Sequence, residues 1–316
     1  MRIPDNVNLA EYYKDHGMLE AEDLHGAAHW RDEIHDIFDG KVEHLGACMP
    51  WSKTHNYFRF RPSETTLHAG INGHRKSMAT GQMALWLAQH QKVAIASLEM
   101  KPAKTLERII KQAAGAGNPP KDFRDAFLDW ADSQILIYDR LDTTPAQSIL
   151  GLCYYAGLEM GIEHVFIDSL AKLGMGEDDY NGQKKFMDEL AVCARKTGIH
   201  VHMIAHMRKG KDEYEVPGKF GVKGSGALVD LTDNLIVHWK NKAKEEIQAR
   251  ADYGADLTAA QEEVLMDCDQ ILKVEKQRHG EHESQFKLWF HKDSLQFVGD
   301  HLNRPIPFEF GYRRQA

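Results

Sequence analysis

Short apolar runs alternate with longer stretches of helical periodicity through the middle of the chain. The runs are Thr65–Ala69, Val93–Leu98, Ile135–Tyr138, His164–Ile167, Val201–Ala205 and Leu235–Trp239. Between them, Ser77–His90, Lys104–Gly115, Pro145–Met160 and Lys184–Thr197 repeat apolar residues at helical spacing. Thr144-Pro145 reads as a helix start, a cap followed by proline at the first helical position. Uninterrupted apolar strands separated by helices predict an α/β fold, a mainly parallel sheet with helices on both faces. In such sheets ligands bind beyond the carboxyl ends of the strands. After Trp239 the pattern changes. Lys240–Glu263 is charged and helical, broken at Gly254. Gln270–Lys276, Phe286–Phe290 and Leu295–Val298 then read as strands, with hairpin connections at Gly280–Ser284 and His291–Ser294. Residues 1–50 are polar, and Asp23–Phe38 places Leu24, Trp30, Ile34, Ile37 and Phe38 at helical spacing, closed by Gly40. They read as a helical arm or linker that packs on its own domain or docks on a neighbouring subunit. Residues 51–316 read as one domain.

The first apolar run leads into Gly70-Ile-Asn-Gly-His-Arg-Lys-Ser77, directly before a helix. Strand, glycine turn, Lys-Ser and helix make a phosphate-binding loop. Backbone N–H groups of Asn72, Gly73, His74 and Arg75 and the helix N-terminus would converge on an anion. Lys76 would reach the terminal phosphates and Ser77 would hold Mg²⁺. One position departs from the pattern: Arg75 stands where a second glycine is usual. Glycine there allows positive φ and close approach to phosphate. Arg75 either lends a charge to the nucleotide or weakens its binding; the bland alternative for the whole stretch is an ordinary strand-to-helix turn.

The following strand ends add chemistry. Glu99 directly follows the second apolar run and is placed to polarise an attacking water, unless it merely caps the next helix. Asp168 ends His164-Val-Phe-Ile-Asp, the pattern of a strand-end Mg²⁺ ligand. His206 ends the next strand, where a polar residue can sense the γ-phosphate. His200, His202 and His206 lack further ligands at short spacing, so a zinc site is not expected. The loop beyond is mixed in charge and rich in glycine: Arg208, Lys209, Lys211, Lys219 and Lys223 with Gly224, against Asp212, Glu213 and Glu215. Such a loop can hold a phosphate backbone, or be plain solvated surface.

Charge narrows the options. With 39 Lys+Arg against 47 Asp+Glu the net charge is −8, so any nucleic-acid contact is local to a loop or channel. The 4 cysteines are scattered among apolar or helical neighbours, as expected of reduced thiols. With no apolar h-region at the N-terminus and no apolar run of membrane-spanning length, the expectation is a soluble cytoplasmic protein.

Taken together, Gly70–Ser77, Ser97-Leu-Glu-Met100, Phe166-Ile-Asp-Ser169, Ile204-Ala-His-Met-Arg208, Gly224-Ser-Gly-Ala-Leu228 with Asp233-Asn234, and Lys276-Gln-Arg-His-Gly280 resemble the DnaB-type hexameric replicative helicases. The order matches across about Arg59 to Val298, and the His-Met-Arg segment is most similar to the helicase half of phage primase–helicases. The resemblance implies a RecA-like P-loop ATPase core with C-terminal antiparallel strands. It also implies a ring, a homo-hexamer or heptamer, driven by ATP, dTTP or another NTP with Mg²⁺ along single-stranded DNA. In that family's terms Glu99 is the catalytic base, Asp168 the Mg²⁺ ligand and His206 the sensor. Arg278 is the finger given to the neighbour's nucleotide with Lys276 beside it, and the Arg208–Lys223 loop is the DNA grip. Primase, polymerase or single-strand-binding protein would be partners, in the host cytoplasm if the protein is phage-encoded. A Cys-rich zinc module and a polymerising domain have no counterpart in residues 1–50. Two rivals stay open: a RecA-like recombination or repair ATPase, and a non-hydrolysing helicase loader or regulator with the same fold.

Overall fold

A computed structural model describes residues 7–16, 26–40, 46–176, 178–208, 213–223, 226–280 and 282–311. The predicted alternation becomes one nine-stranded sheet. Its parallel part comprises β1 (Thr65–Gly70), β2 (Val93–Ser97), β3 (Ile135–Ile137), β4 (His164–Asp168), β5 (His200–His206) and β6 (Asn234–Lys240). The strands β7 (Gln270–Gln277), β8 (Gln285–Phe290) and β9 (Phe297–Val298) continue it antiparallel, giving the order β3-β2-β4-β5-β1-β6-β7-β8-β9. The last strand is shorter than its sequence pattern because Leu295 takes a left-handed φ of 59° and ends the extended run before Phe297.

Helices cover both faces, and the central strands are buried on both sides. The helices α1 (Leu9–His16) and α2 (Arg31–Phe38) precede the sheet. One core lies under α6 (Ala146–Met160), α7 (Tyr180–Thr197) and α8 (Gly226–Leu231). The other lies under α3 (Lys76–Ala88), α4 (Pro102–Ala114) and α5 (Lys121–Gln134), with Phe58 and Phe60 packed against it. The helix α6 begins one residue later than read, with Pro145 itself at the cap position and the Thr144 hydroxyl turned to the Asp142 carbonyl. The start of α7 moves back to Tyr180 because Asp179 caps it, accepting from Gly182 N–H. The charged stretch after β6 forms α9 (Lys242–Asp252) and α10 (Ala259–Met266), parted at Gly254, whose φ is +79°.

In the N-terminal segment, α1 sits against α6 so closely that a Cβ on Gly151 would lie 1.8 Å from the Leu9 carbonyl oxygen. Tyr12 and Tyr13 pack beside Tyr155 and Tyr154. By contrast α2 buries none of its residues, and Trp30, Ile34, Ile37 and Phe38 are exposed. Part of the predicted Asp23–Phe38 helix, through His25, lies outside the described residues. Among the described residues no helix is long and apolar enough to cross a membrane.

A polar feature runs through the α3-side core. His68, His164, His200, His202 and His238 are all buried. Gln91 Nε2 donates to Glu163 (2.8 Å), which turns its Oε1 toward His164 Nε2 at 3.1 Å. His164 must therefore donate, and its Nδ1 accepts from His202 Nε2 (3.2 Å). In turn His202 Nδ1 accepts from His68 Nε2 (3.1 Å), and His68 Nδ1 accepts from His238 Nε2 (3.0 Å). The chain crosses β4, β5, β1 and β6, and the His238 Nδ1 at its end has no partner among the described residues. His200 stands apart, donating to the Arg61 carbonyl (2.6 Å) and accepting from Thr66.

Candidate active site

Sheet order brings the sequence-predicted residues together. The strands β2, β4, β5 and β1 are neighbours, with Ser97 beside Asp168 and Gly70 beside His206. Their carboxyl ends therefore open into one cleft of about 640 Å³, lined by Asn72, Gly73, Arg75, Lys76, Ser77, Glu99, Asp168 and His206. That volume suits a small-molecule site.

The loop itself is built for close backbone approach. Gly70 has no room for a side chain, since a Cβ there would meet the His238 carbonyl oxygen at 2.6 Å. Gly73 takes φ +82°. His74 is buried, accepts from Lys240 N–H through Nδ1 (3.1 Å) and ties the turn to β6. Burial and the nearby lysines push its imidazole down to about 4. Arg75 caps α3 in the left-handed region at φ 56°, the conformation that usually selects glycine. Its guanidinium lies 4.2 Å from the centre of the Phe290 ring and 3.9 Å from Glu245, so part of its charge is answered by the protein. The N–H groups of Gly73, Arg75, Lys76 and Ser77 make no backbone hydrogen bond within the described residues. They form a set of donors at a helix N-terminus.

Lys76 is folded back onto this loop, donating to the carbonyls of Gly70 (2.8 Å) and Ile71 (3.2 Å) and to His206 Nδ1 (3.3 Å). Burial lowers its ammonium to about 8, against the pull of Asp168 and Glu99. Since His206 Nδ1 accepts, Nε2 carries the hydrogen and faces Glu99 at 3.5 Å. Glu99 also receives the Ser169 hydroxyl. The His206 contact, with Ser169 and Lys172 adding to it, pulls the Glu99 carboxyl down to about 2. Glu99 is thus an anion at neutral pH that orients hydrogen-bond donors. Asp168 is raised by burial and steadied by the Ser77 hydroxyl beside it. A carboxylate and a hydroxyl side by side are hard oxygen donors that fit Mg²⁺, and a cation would relieve the buried charge on Asp168.

Two cleft residues escape the motif reading, Arg108 from α4 and Lys172 after β4. Neither stands in a recognisable pattern; only the fold carries them there. Ser169 was in plain view as the residue after Asp168, but its bond to Glu99 depends on the pairing of β2 with β4.

Lys276 and Arg278 do not join the cleft. The antiparallel register puts Gln277 beside Asn234, at the opposite end of β6 from the phosphate loop. Arg278 pairs with Asp233 (3.1 Å) and donates to the Asp230 carbonyl (3.0 Å). Lys276 caps the end of α8 through the carbonyls of Val229, Asp230 and Thr232. The loop after β5 continues that strand: Met207 bridges to Val222, and Arg208 N–H donates to Gly221 (2.7 Å). Lys219 and Lys223 lie on its returning arm, whereas Lys209, Lys211 and Gly224 fall outside the described residues. The histidines considered for zinc part company, His200 and His202 in the core and His206 in the cleft. Among the described residues no cluster suited to a metal ion's His/Cys/Asp/Glu ligands is found.

A central parallel sheet, a glycine loop opening α3 and acids at the next strand ends define a RecA-like P-loop ATPase fold. Residues 60–212 match the AAA domain family. The chain superimposes on the "ATPase Domain of G40P" with a TM-score of 0.68 at 16% identity, over 87% of this chain and 99% of that one. It also superimposes on a DnaB-like replicative helicase, described with its interactions with primase, with a TM-score of 0.64 at 15% identity, over 92% of this chain and 70% of that one. No curated protein sequence matches the chain.

Proposed function

We propose that this chain is the ATP-driven motor subunit of a replicative DNA helicase ring, from a phage replication system, that moves along single-stranded DNA in the host cytoplasm. The observation that carries the reading is the convergence of Lys76, Ser77, Glu99, Asp168 and His206 on one cleft while Arg278 lies at the far end of the sheet. The loop N–H groups receive the phosphates, and Lys76 exchanges its carbonyl partners for phosphate oxygens. Ser77 and Asp168 would hold Mg²⁺, which when bound offsets charge on the nucleotide's phosphates. Glu99 orients the attacking water. His206, adjacent to both Lys76 and Glu99, registers whether the terminal phosphate is present and passes its position into the loop that continues β5. Arg278 cannot serve its own subunit's cleft from where it stands, so it serves a neighbour's. ATP, dTTP or another NTP suits this chemistry equally. The likeness to a helicase described with primase makes primase a candidate partner, with polymerase and single-strand-binding protein beside it.

The test is nucleotide hydrolysis by the full chain with Mg²⁺, with and without single-stranded DNA, alongside its mass in solution. The expected result is a ring whose hydrolysis is stimulated by DNA and which unwinds a forked duplex. A chain that binds ATP without turnover is the loader or regulator instead, and homologous pairing without unwinding makes it a recombination ATPase.

A further inference from the structure

The loop after β5 carries a residue that neither the charge pattern nor the phosphate chemistry uses. Phe220 is 93% exposed. Leaving a phenylalanine in water forfeits the favourable burial such a side chain usually supplies. The residue is not on a slack tip. Residues Lys219–Gly221 form a 3-10 turn closed by Gly221 N–H to the Gly218 carbonyl (3.0 Å). Immediately beyond, Gly221 accepts from Arg208 N–H and Val222 bridges to Met207. Val222 is itself buried in the main core. The turn is therefore riveted to the extension of β5, and Phe220 is presented from a fixed support. A Cβ on Gly221 would meet the Met207 side chain at 2.8 Å, so the turn sits close against that strand.

Cations flank the ring, and one acid stands at the base of the turn, Glu275, which accepts from Lys219 N–H (3.3 Å). The Lys219 ammonium lies 5.8 Å from the centre of the Phe220 ring, Arg208 leads into the hairpin and Lys223 leaves it. On a chain of net charge −8 this hairpin sets one cation beside an exposed aromatic ring and two more along its arms. Cations that track a phosphate backbone beside an aromatic on which a base can stack are the two parts of a single-strand binding surface. We infer that Phe220 is a stacking platform for a nucleobase of single-stranded DNA, with Lys219 and Lys223 holding the adjoining phosphates. The inference rests on the proposed role of this loop and adds base contact to backbone contact.

The two contributions separate by experiment. The full chain, with Mg²⁺ and a non-hydrolysable ATP analogue, is titrated against a labelled oligothymidylate and against an abasic strand of equal length, across a salt series. Phe220→Ala is expected to bind oligothymidylate roughly 5- to 150-fold more weakly, the range covered by losing one base–aromatic stack. Its slope of log affinity against log salt should stay at the wild-type value, because no phosphate contact is lost. On the abasic strand the variant and the wild type should bind alike, and Phe220→Trp should keep the oligothymidylate affinity. Equal weakening on both strands overturns the inference, because Phe220 then shapes the loop rather than meeting a base. Unchanged affinity for oligothymidylate also overturns it. The loop's role is judged separately by Lys219→Ala with Lys223→Ala, which should flatten the salt slope. If that slope moves while Phe220→Ala has no effect, the loop's role stands and the stacking platform falls. If neither variant changes binding, or the chain binds neither strand, both fall.

Discussion

Acidification should unfold this protein at a pH where most carboxylates are still ionised. Burial holds His68, His164 and His202 well below the usual imidazole range, and takes His200 down to about 4 and His238 to about 3. The neighbouring imidazoles reinforce the shift for His68, His164 and His202, and the Lys76 charge does so for His238. An imidazole depressed in the folded state takes up its proton first in the unfolded chain. Stability is therefore complete above the unfolded value near 6.5 and falls as the pH drops through it. At about pH 5.5 an unfolded histidine is about nine-tenths protonated and the folded His200 and His238 hardly at all, a cost of about 1.4 kcal/mol each. The two alone remove about 3 kcal/mol from a typical total of roughly 5–15 kcal/mol. His68, His164 and His202 act in the same direction. Asp168 and Glu64, raised by burial, act in the opposite one and are outnumbered. Glu99, held down to about 2, contributes fully above the ordinary carboxylate value and loses that contribution as the pH falls from there to about 2, a separate window below that of the histidines. The assay is urea unfolding at constant ionic strength from about pH 7.5 to about pH 5.5, reading the midpoint at fixed slope. A midpoint that does not fall across this interval would refute the claim that the sheet's histidines are held neutral.

Other expectations follow from the cleft and its surroundings. If Glu99 orients the attacking water as proposed, Glu99→Gln should retain nucleotide and lower turnover by roughly 10²- to 10⁴-fold in a single-turnover assay. Arg278→Ala should bind ATP without hydrolysing it. Mixing it with Lys76→Ala subunits should restore some hydrolysis in mixed rings proven by co-elution, because some interfaces then join an intact cleft to an intact finger; no return of activity would show that Arg278 does not act across an interface. Gly151→Ala should displace α1, where a Cβ would stand 1.8 Å from the Leu9 carbonyl oxygen, and should cost about 1–3 kcal/mol of thermal stability. Faster proteolytic cleavage within residues 7–16 than in the wild type would report the displacement.

How much of this was legible depended on whether the signal was local. The central strands are buried on both faces, so their apolar runs stood out in the sequence and their ends were placed within a residue or two. The helix α5 was not read. It buries only Phe123, Phe127 and Ala131 along a narrow stripe among charges, and it follows two prolines. The glycine loop and the strand-end residues Glu99, Asp168 and His206 could be named because each abuts its own strand. Their assembly needed the order β2-β4-β5-β1, which no single segment encodes. Arg75 left two outcomes open in the sequence, and its partners Phe290 and Glu245 come from distant elements. The same holds for the histidines. Each reads as one residue of an apolar strand, and only the sheet order makes them a chain.

That chain has a polarity. Because a carboxylate can only accept, Glu163 fixes the Gln91 amide, and every imidazole from His164 to His238 must then carry its hydrogen on Nε2. All the N–H bonds point the same way, so the imidazole dipoles add. Their positive end meets the Glu163 carboxylate at the protein surface. Their negative end is the bare Nδ1 lone pair of His238, a residue whose carbonyl and Cβ leave no room for a side chain at Gly70, where the phosphate-binding turn begins. The opposite orientation would leave a buried N–H without an acceptor beside a cationic loop. A glutamate just before β4 thus orients a row of imidazoles that crosses four strands, with the electron-rich end of the row on the strand beside the phosphate-binding turn.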